Sequence, residues 1–147
     1  QPFQIIQQQQ RHIFKFDWEK HILFIRNQEA EKAVQAAVSS YAKQFLTEYL
    51  KSVSQEVGLI YQECNIRRPK TRWGSCSSKH DIMLNAGLVL MPENIVRSVC
   101  VHELAHTKHF DHSPAFWAEV EKYDPYFQRH RRQLKSNPLP AWWYVSN

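Results

Sequence analysis

The sequence contains no apolar run near the roughly 20 residues that a membrane-spanning helix needs, and no signal-peptide pattern opens it. It has no internal repeat and no glycine-rich phosphate loop of the kind that many nucleotide-binding proteins use. We therefore expect a cytoplasmic protein without membrane contact. Its 147 residues are enough for one domain, over residues 1–147, that buries a core without disulfide bonds.

Cysteine is also scarce. Cys64, Cys76 and Cys100 lie far apart, and no two of them form a CxxC pair. An odd number of widely spaced cysteines argues against a disulfide framework and against a zinc site built from four thiolates. We expect three reduced thiols, which agrees with a cytoplasmic location.

Positive charge outweighs negative charge, with 19 Lys and Arg residues against 14 Asp and Glu residues and a net charge of +5. The excess is concentrated in two clusters, one between Arg67 and Arg72 and one between Lys122 and Lys135. Basic surfaces suit phosphate-bearing partners, although most such clusters are solvated helix or strand surface. We favour the solvated surface and keep nucleic-acid contact through the second cluster as an alternative.

The N-terminal third is predicted to hold a hairpin and a long helix. β-Branched and aromatic residues on both sides of a short polar turn predict a hairpin at about 11–26. From about residue 28 to residue 57, apolar side chains recur at three- and four-residue steps, which predicts an amphipathic helix packed on a sheet; they are Val34, Val38, Tyr41, Phe45, Tyr49 and Val53. Asn27 and Gly58 are expected to cap the two ends.

Downstream, strands give way to helices, as in an α+β protein. Three segments have the composition of strands: 59–67, 71–76 and 82–87. Proline is favoured at the first position of a helix, which predicts helices from Pro92 to about Lys108 and from Pro114 to Tyr123. A last, basic helix is expected to end near Leu134.

The segment HELAH, residues 102–106, falls in the second half of the first proline-led helix. At 3.6 residues per turn, His102 and His106 lie on the same face, so their imidazoles can bind one ion. Apolar residues one and two turns earlier continue this face, which indicates that it points inward. Glu103 is rotated away from both histidines, in the position of a general base that acts on a metal-activated water.

A catalytic zinc site needs a third protein ligand and an open fourth position. The candidates after the helix are His109, Asp111 and His112. The helix-start pattern at Pro114 shows that the first helix does not continue, so a chain reversal can return His112 to the ion; Asp111 is the alternative. A metzincin is not expected, because His109 replaces the glycine of HExxHxxGxxH and no methionine follows Met91.

Three blocks together resemble a known family: TRWGSCSSKHDIMLN at 71–85, VHELAH at 101–106 and HSPAFW at 112–117. In this order and spacing they are similar to the YgjP-like metal-dependent hydrolases, which are related to the SprT and WLM metallopeptidases. The resemblance covers roughly residues 60–135, the expected catalytic core.

The resemblance implies a compact zincin-like α+β domain. A small antiparallel sheet would pack on the long N-terminal helix and on the HExxH active-site helix, with further helices at the C-terminus. It also implies one Zn²⁺ ion bound by His102, His106 and His112, with Glu103 as the catalytic glutamate. Other divalent metals are also compatible with these ligands.

The RWGSC segment is the candidate for substrate binding. In zincin-like folds, an edge strand above the metal can pair with an extended peptide through backbone hydrogen bonds. Arg72, Trp73, Gly74 and Ser75 are the candidate rim residues, and Gly74 would let a substrate backbone approach closely. Cys76 is not expected to bind the metal, because three histidines already complete a catalytic site.

These observations favour a zinc-dependent metallopeptidase in which Glu103 is the general base. The resemblance also implies an alternative, a nucleoside triphosphate (UTP) pyrophosphatase that uses the same site and holds phosphates with Arg67, Arg68, Lys70 and Arg72. A third hypothesis is a nucleic-acid-associated protein with a structural metal. A structural site is normally closed by a fourth protein ligand, and none is evident.

Overall fold

The computed structural model describes residues 4–7, 14–17, 22–25 and 30–136, together with Leu139 and Trp143. The elements, in chain order, are β1 (Gln4–Gln7), β2 (Phe14–Asp17), β3 (Ile22–Ile25), α1 (Ala30–Val57), β4 (Cys64–Arg67), β5 (Gly74–Cys76), β6 (Ile82–Asn85), a 3-10 helix (Ala86–Leu90), α2 (Glu93–Ala105), α3 (Pro114–Tyr123) and α4 (Phe127–Ser136). The α+β class predicted from the sequence is confirmed.

The first three strands form one sheet in the order β1-β3-β2. The β2–β3 pair is antiparallel, as a hairpin requires, and β1 pairs with β3 in parallel. The turn between β2 and β3, and the predicted cap Asn27, lie outside the described residues. Both β2 and β3 contact α1, so this sheet lies against the long helix.

Helix α1 ends as predicted at Gly58, which has a φ of +73° and donates its backbone N–H to the Ser54 carbonyl at 2.8 Å. The buried face differs from the predicted stripe, because Phe45 and Tyr49 are only partly buried. Leu46 and Leu50 are fully buried in their place. The four-residue step from Val38 leads through the small Ala42 to Leu46, which turns the buried face away from the aromatic residues.

The second sheet has the order β4-β6-β5 and is mixed rather than antiparallel. The predicted antiparallel pairing holds for β5 and β6, which a short turn connects, whereas β4 and β6 are parallel. The chain reverses between β4 and β5 and again between β5 and β6. Strand β6 therefore runs parallel to β4, and it lies between β4 and β5 in the sheet. Among the strands that the structure describes, β5 therefore lies at an edge of this sheet.

All three strands of this sheet are shorter than predicted. Residues 59–63 and 71–73 are irregular, and β6 ends at Asn85, because the Asn85 side chain accepts a hydrogen bond from the Gly87 N–H and caps the 3-10 helix.

The C-terminal residues that the structure describes belong to the core. Leu139 and Trp143 are 6% and 1% exposed, and a methyl group at Gly87 would lie 2.5 Å from the Leu139 Cδ1 atom. Arg68 lies over the Trp143 ring, and its Nη2 atom donates to the Trp143 carbonyl and to Gln35 Oε1, each at 2.8 Å.

Among the described helices, none combines the length and apolarity of a bilayer span.

Candidate metal centre

Helix α2 places His102 and His106 one turn apart at its C-terminal end. The helix ends at Ala105, three residues before the predicted end, and turns follow to Lys108. The His106 N–H bonds the Glu103 carbonyl at 3.2 Å, and the Thr107 hydroxyl donates to the Leu104 carbonyl at 2.6 Å. These contacts tighten the last turn, which ends the helix and directs the chain back towards α2.

The start of α3 brings His112 to the same point. Ser113 is the N-cap, and its hydroxyl accepts a hydrogen bond from the Phe116 N–H at 3.3 Å, while Pro114 occupies the first turn. One ligand atom from each of His102, His106 and His112 lies within 4.8 Å of the others. Among the residues that the structure describes, no other cluster of this kind occurs, and Asp111 is outside this one.

The three imidazoles rest on a single buried ring, that of Phe116. Its centroid lies 4.9 Å from that of His102, 4.2 Å from that of His106 and 5.1 Å from that of His112. Phe116 is fully buried, so the three rings converge over an apolar floor that limits their rotation.

Hydrogen bonding and burial prepare the imidazoles for a metal. The His106 Nδ1 atom lies 3.1 Å from the His109 carbonyl, so Nδ1 carries the proton and Nε2 keeps its lone pair. Burial, assisted by the neighbouring His106, His112 and Arg131, lowers the pKa of His102 to about 3. Burial also lowers the pKa of His106. Neutral imidazole is the form that binds metal, so these residues suit a divalent ion.

Glu103 lies beside the histidines with a 6% exposed surface. Burial raises the pKa of its carboxyl to about 8, and the positive charge of Arg72 opposes the rise. A methyl group at Gly74 of β5 would lie 3.0 Å from both the Cγ and the Oε2 atoms of Glu103. Glycine at this position therefore makes room for Glu103, a reason different from the substrate approach that the sequence suggested.

His102, Glu103 and His112 line an open cleft of about 410 Å³. The residues that line it come from the loop before β5, from β5, α2 and α4, and from the His112 loop: Thr71, Arg72, Trp73, Gly74, Ser98, Val99, His102, Glu103, His112, Arg131 and Leu134. Of the four predicted rim residues, Arg72, Trp73 and Gly74 line the cleft and Ser75 does not. Trp73 also packs on the core.

Asn85 fixes the rim loop. Its Nδ2 atom donates to the carbonyls of Pro69, at 3.1 Å, and Arg72, at 2.9 Å, and its backbone N–H bonds the Trp73 carbonyl at 2.9 Å. Because Asn85 is 3% exposed, the loop that carries Arg72 is held by buried hydrogen bonds.

Two further residues lie near the site. Trp117 packs on the core, and its ring also stacks on His112, with centroids 5.7 Å apart and planes 21° apart. The guanidinium of Arg131 lies 4.7 Å from the Trp117 ring centroid. Neither was predicted as a site residue: Trp117 ends the HSPAFW block, and Arg131 is one of several arginines in the basic run.

The buried carboxylate of Glu119 binds side chains of the turn that follows α2. Glu119 of α3 is 5% exposed and lies 3.4 Å from the ammonium groups of Lys108 and Lys122 and 3.8 Å from the His109 ring. Burial raises the pKa of Glu119, but the hydrogen bonds and charges of the two lysines lower it by more. This cluster anchors the turn whose carbonyl orients His106.

The fold and the three-histidine cluster together define a metal-binding α+β domain of the metallopeptidase type. The structure is similar to the zymogen of abylysin from Pyrococcus abyssi, at 25% identity and a TM-score of 0.56, over 62% of this chain and 92% of that chain. The zymogen of jannalysin from Methanocaldococcus jannaschii, at 18% identity, has a similar fold, with a TM-score of 0.54 over 62% of this chain and 94% of that chain.

The model of the YgjP-like metallopeptidase domain matches residues 3–137, so the chain belongs to this family. The resemblance found in the three sequence blocks is thereby confirmed. None of the curated proteins matches the sequence. Membership of a metallopeptidase family makes the chain a hydrolase and implies a divalent metal, for which the three clustered histidines are suitable ligands.

Proposed function

We propose that this chain is a zinc-dependent metallopeptidase that hydrolyses peptide bonds, with His102, His106 and His112 as the zinc ligands and Glu103 as the general base. The observation that carries the proposal is the convergence of three imidazoles, with ligand atoms within 4.8 Å, beside a buried carboxylate. Three neutral nitrogen ligands and an accessible cleft match a catalytic zinc site, which leaves one position for water or substrate.

When bound, the divalent ion supplies Lewis-acid chemistry: it lowers the pKa of a water molecule and polarises the carbonyl under attack. The protein supplies the proton transfers. In the metal-free protein burial raises the pKa of Glu103 to about 8, and Arg72 opposes the rise. A bound divalent ion would oppose it further, so that the ionised carboxylate could accept a proton from water and return it to the leaving amine. Gly74 leaves the space in which this carboxylate sits.

The position of β5 at the edge of its sheet supports the proposal that the substrate is a peptide. Strand β5 lines the cleft with Gly74 and has one sheet neighbour, β6, among the described strands, so its outer edge is proposed to offer backbone hydrogen bonds to an extended chain. Arg72, Trp73, Gly74 and Ser75 form the proposed rim, with Asn85 holding the loop before it. This arrangement favours a peptide over a compact substrate.

The nucleotide alternative is less well supported. Of the four basic residues predicted to hold phosphates, only Arg72 lines the cleft. Arg68 is occupied by Gln35 and by the Trp143 carbonyl. The nucleic-acid alternative draws on α4, which has no buried residue and exposes several arginines. A fall in binding with salt would test it.

The first experiment compares metal content and turnover. We expect purified His106→Ala protein to lose the metal and to cleave neither unfolded casein nor a fluorogenic peptide. Asp111→Asn is the matched control, since Asp111 belongs to the same loop but not to the histidine cluster, and it should keep both properties. Wild-type protein that hydrolyses nucleoside triphosphates and leaves peptides intact would replace the peptidase proposal.

A further inference from the structure

Arg131 is an exposed residue of α4 that lines the same cleft as His102 and Glu103. Its guanidinium lies 4.7 Å from the centroid of Trp117, whose ring in turn stacks on His112. Trp117 of α3 also stacks on Phe127 of α4, at 5.2 Å between centroids, so the ring beneath the Arg131 guanidinium is held between side chains of α3 and α4. A guanidinium that lies on an aromatic ring is oriented before any ligand arrives.

Arg131 has no acidic partner in the part of the chain that the structure describes. The ion pairs there involve Arg97, Lys108, Lys122, His109 and His130. An oriented guanidinium without a carboxylate partner matches a carboxylate ligand, which it can bind through two parallel hydrogen bonds.

The charge of the cleft favours the same kind of ligand. Arg72 and Arg131 both line it, and Glu103 is the one acidic residue among the described lining residues. A divalent ion adds further positive charge. From Arg131 a second groove of about 290 Å³ continues along α4, and the described residues that line it are polar or basic: Gln128, Arg131, Arg132 and Lys135.

We propose that Arg131 binds a carboxylate of the peptide substrate and thereby gives the enzyme a preference for acidic peptides. The inference rests on the proposed peptidase function. The carboxylate belongs either to an Asp or Glu side chain near the scissile bond or to the C-terminus of the substrate, since both present the same group to the guanidinium. A peptide is favoured over a nucleic acid because Arg131 lines the same cleft as Gly74 of strand β5, whose outer edge is proposed to pair with a peptide.

The test uses zinc-loaded protein and fluorogenic peptides of one parent sequence. Asp or Glu replaces Gln at each position around the scissile bond, and each peptide is made with a free and with an amidated C-terminus. We expect KM to be roughly tenfold lower for the acidic peptide at the responsive position. If amidation alone removes the preference, the C-terminal carboxylate is the ligand.

Variants assign the preference to one side chain. Arg131→Ala should abolish the difference in KM between acidic and neutral peptides, and Arg131→Glu should shift the preference to peptides with Lys at the same position. Arg129→Ala is the matched control, because Arg129 is on the same helix and lies over Tyr126 at 5.1 Å, but does not line the cleft. It should keep the full preference.

The outcomes separate the two proposals. A preference that survives in Arg131→Ala, or that is absent from the wild type, overturns the role of Arg131. Binding of a single-stranded DNA oligonucleotide that depends on Arg131, without any peptide preference, replaces it with a nucleic-acid contact. If no peptide is cleaved, the peptidase proposal fails, and binding of the same labelled peptides to zinc-loaded Glu103→Gln protein, with and without Arg131→Ala, still decides the role of Arg131.

Discussion

Two glutamates on neighbouring helices are almost equally buried, with Glu103 of α2 at 6% and Glu119 of α3 at 5% exposure. Their pKa values nevertheless move in opposite directions. Burial raises the pKa of Glu103 to about 8, with only Arg72 opposing it. For Glu119 burial acts in the same sense, but Lys108 and Lys122 outweigh it and the pKa is lowered.

The difference shows that a low exposed fraction does not by itself decide the charge of a carboxylate: Glu103 lies deeper among protein atoms with Arg72 opposing the rise, whereas Glu119 has two ammonium partners. Glu119 remains charged and holds the turn after α2, which is a structural function. Glu103 lies in the cleft, where burial raises its pKa to about 8, a kind of shift that is common among residues of functional sites.

The largest expected effect comes from removing the charge of Glu103. We expect Glu103→Gln to lower kcat for peptide cleavage by roughly 10²–10⁴-fold, the usual contribution of a general base. Metal content, measured by elemental analysis, should not change, because the three histidines are untouched. Cleavage by Glu103→Gln at the wild-type rate would remove this residue from the mechanism.

The next effect concerns stability and pH in metal-free protein. The folded state of the wild type takes up a proton at Glu103 more readily than the unfolded state, so its stability should fall as pH rises from about 4.5 to 8. Glu103→Gln should lack this loss, so its stability relative to wild type should increase progressively over the same pH range and reach a gain on the order of 4 kcal/mol by pH 8. Urea unfolding of chelator-treated protein at pH 5 and pH 8 measures it. A constant difference between the two proteins would contradict the raised pKa.

The smallest effect is expected at Glu119, whose lysine partners are half exposed. Glu119→Ala should lower the free energy of unfolding by about 1–2 kcal/mol at pH 7. The lowered pKa of Glu119 adds stability above its unfolded pKa, and this part should vanish as pH falls through the folded value.

Because Lys108 and His109 anchor the turn that orients His106, zinc affinity of Glu119→Ala should also fall roughly tenfold. The control is Glu121→Ala, since Glu121 is on the same helix and exposed. Equal effects of the two substitutions would show that burial and pairing of Glu119 do not matter.

Most helices were predictable from local patterns. Pro114 at the start of α3 and Gly58 at the end of α1 act through their own backbone geometry, and both predicted limits agree with the structure. The parallel β4–β6 pairing was not predictable, because it depends on where a strand is inserted and not on its composition. The predicted buried face of α1 was wrong in its middle for a similar reason: Phe45 and Leu46 are both apolar, and only the packing of neighbouring elements decides which of them points inward.

The sequence by itself determined the chemistry that is available: two histidines one helical turn apart, a glutamate between them and a histidine just before a proline-led helix. Periodicity and capping are local properties, so these positions could be placed on elements without coordinates. Tertiary structure alone decided that Phe116 supports all three rings, that Gly74 faces Glu103, and that Arg131 reaches the cleft over Trp117. Each of these depends on contacts between residues that are distant in the chain or on the angle between helices, which no local pattern encodes.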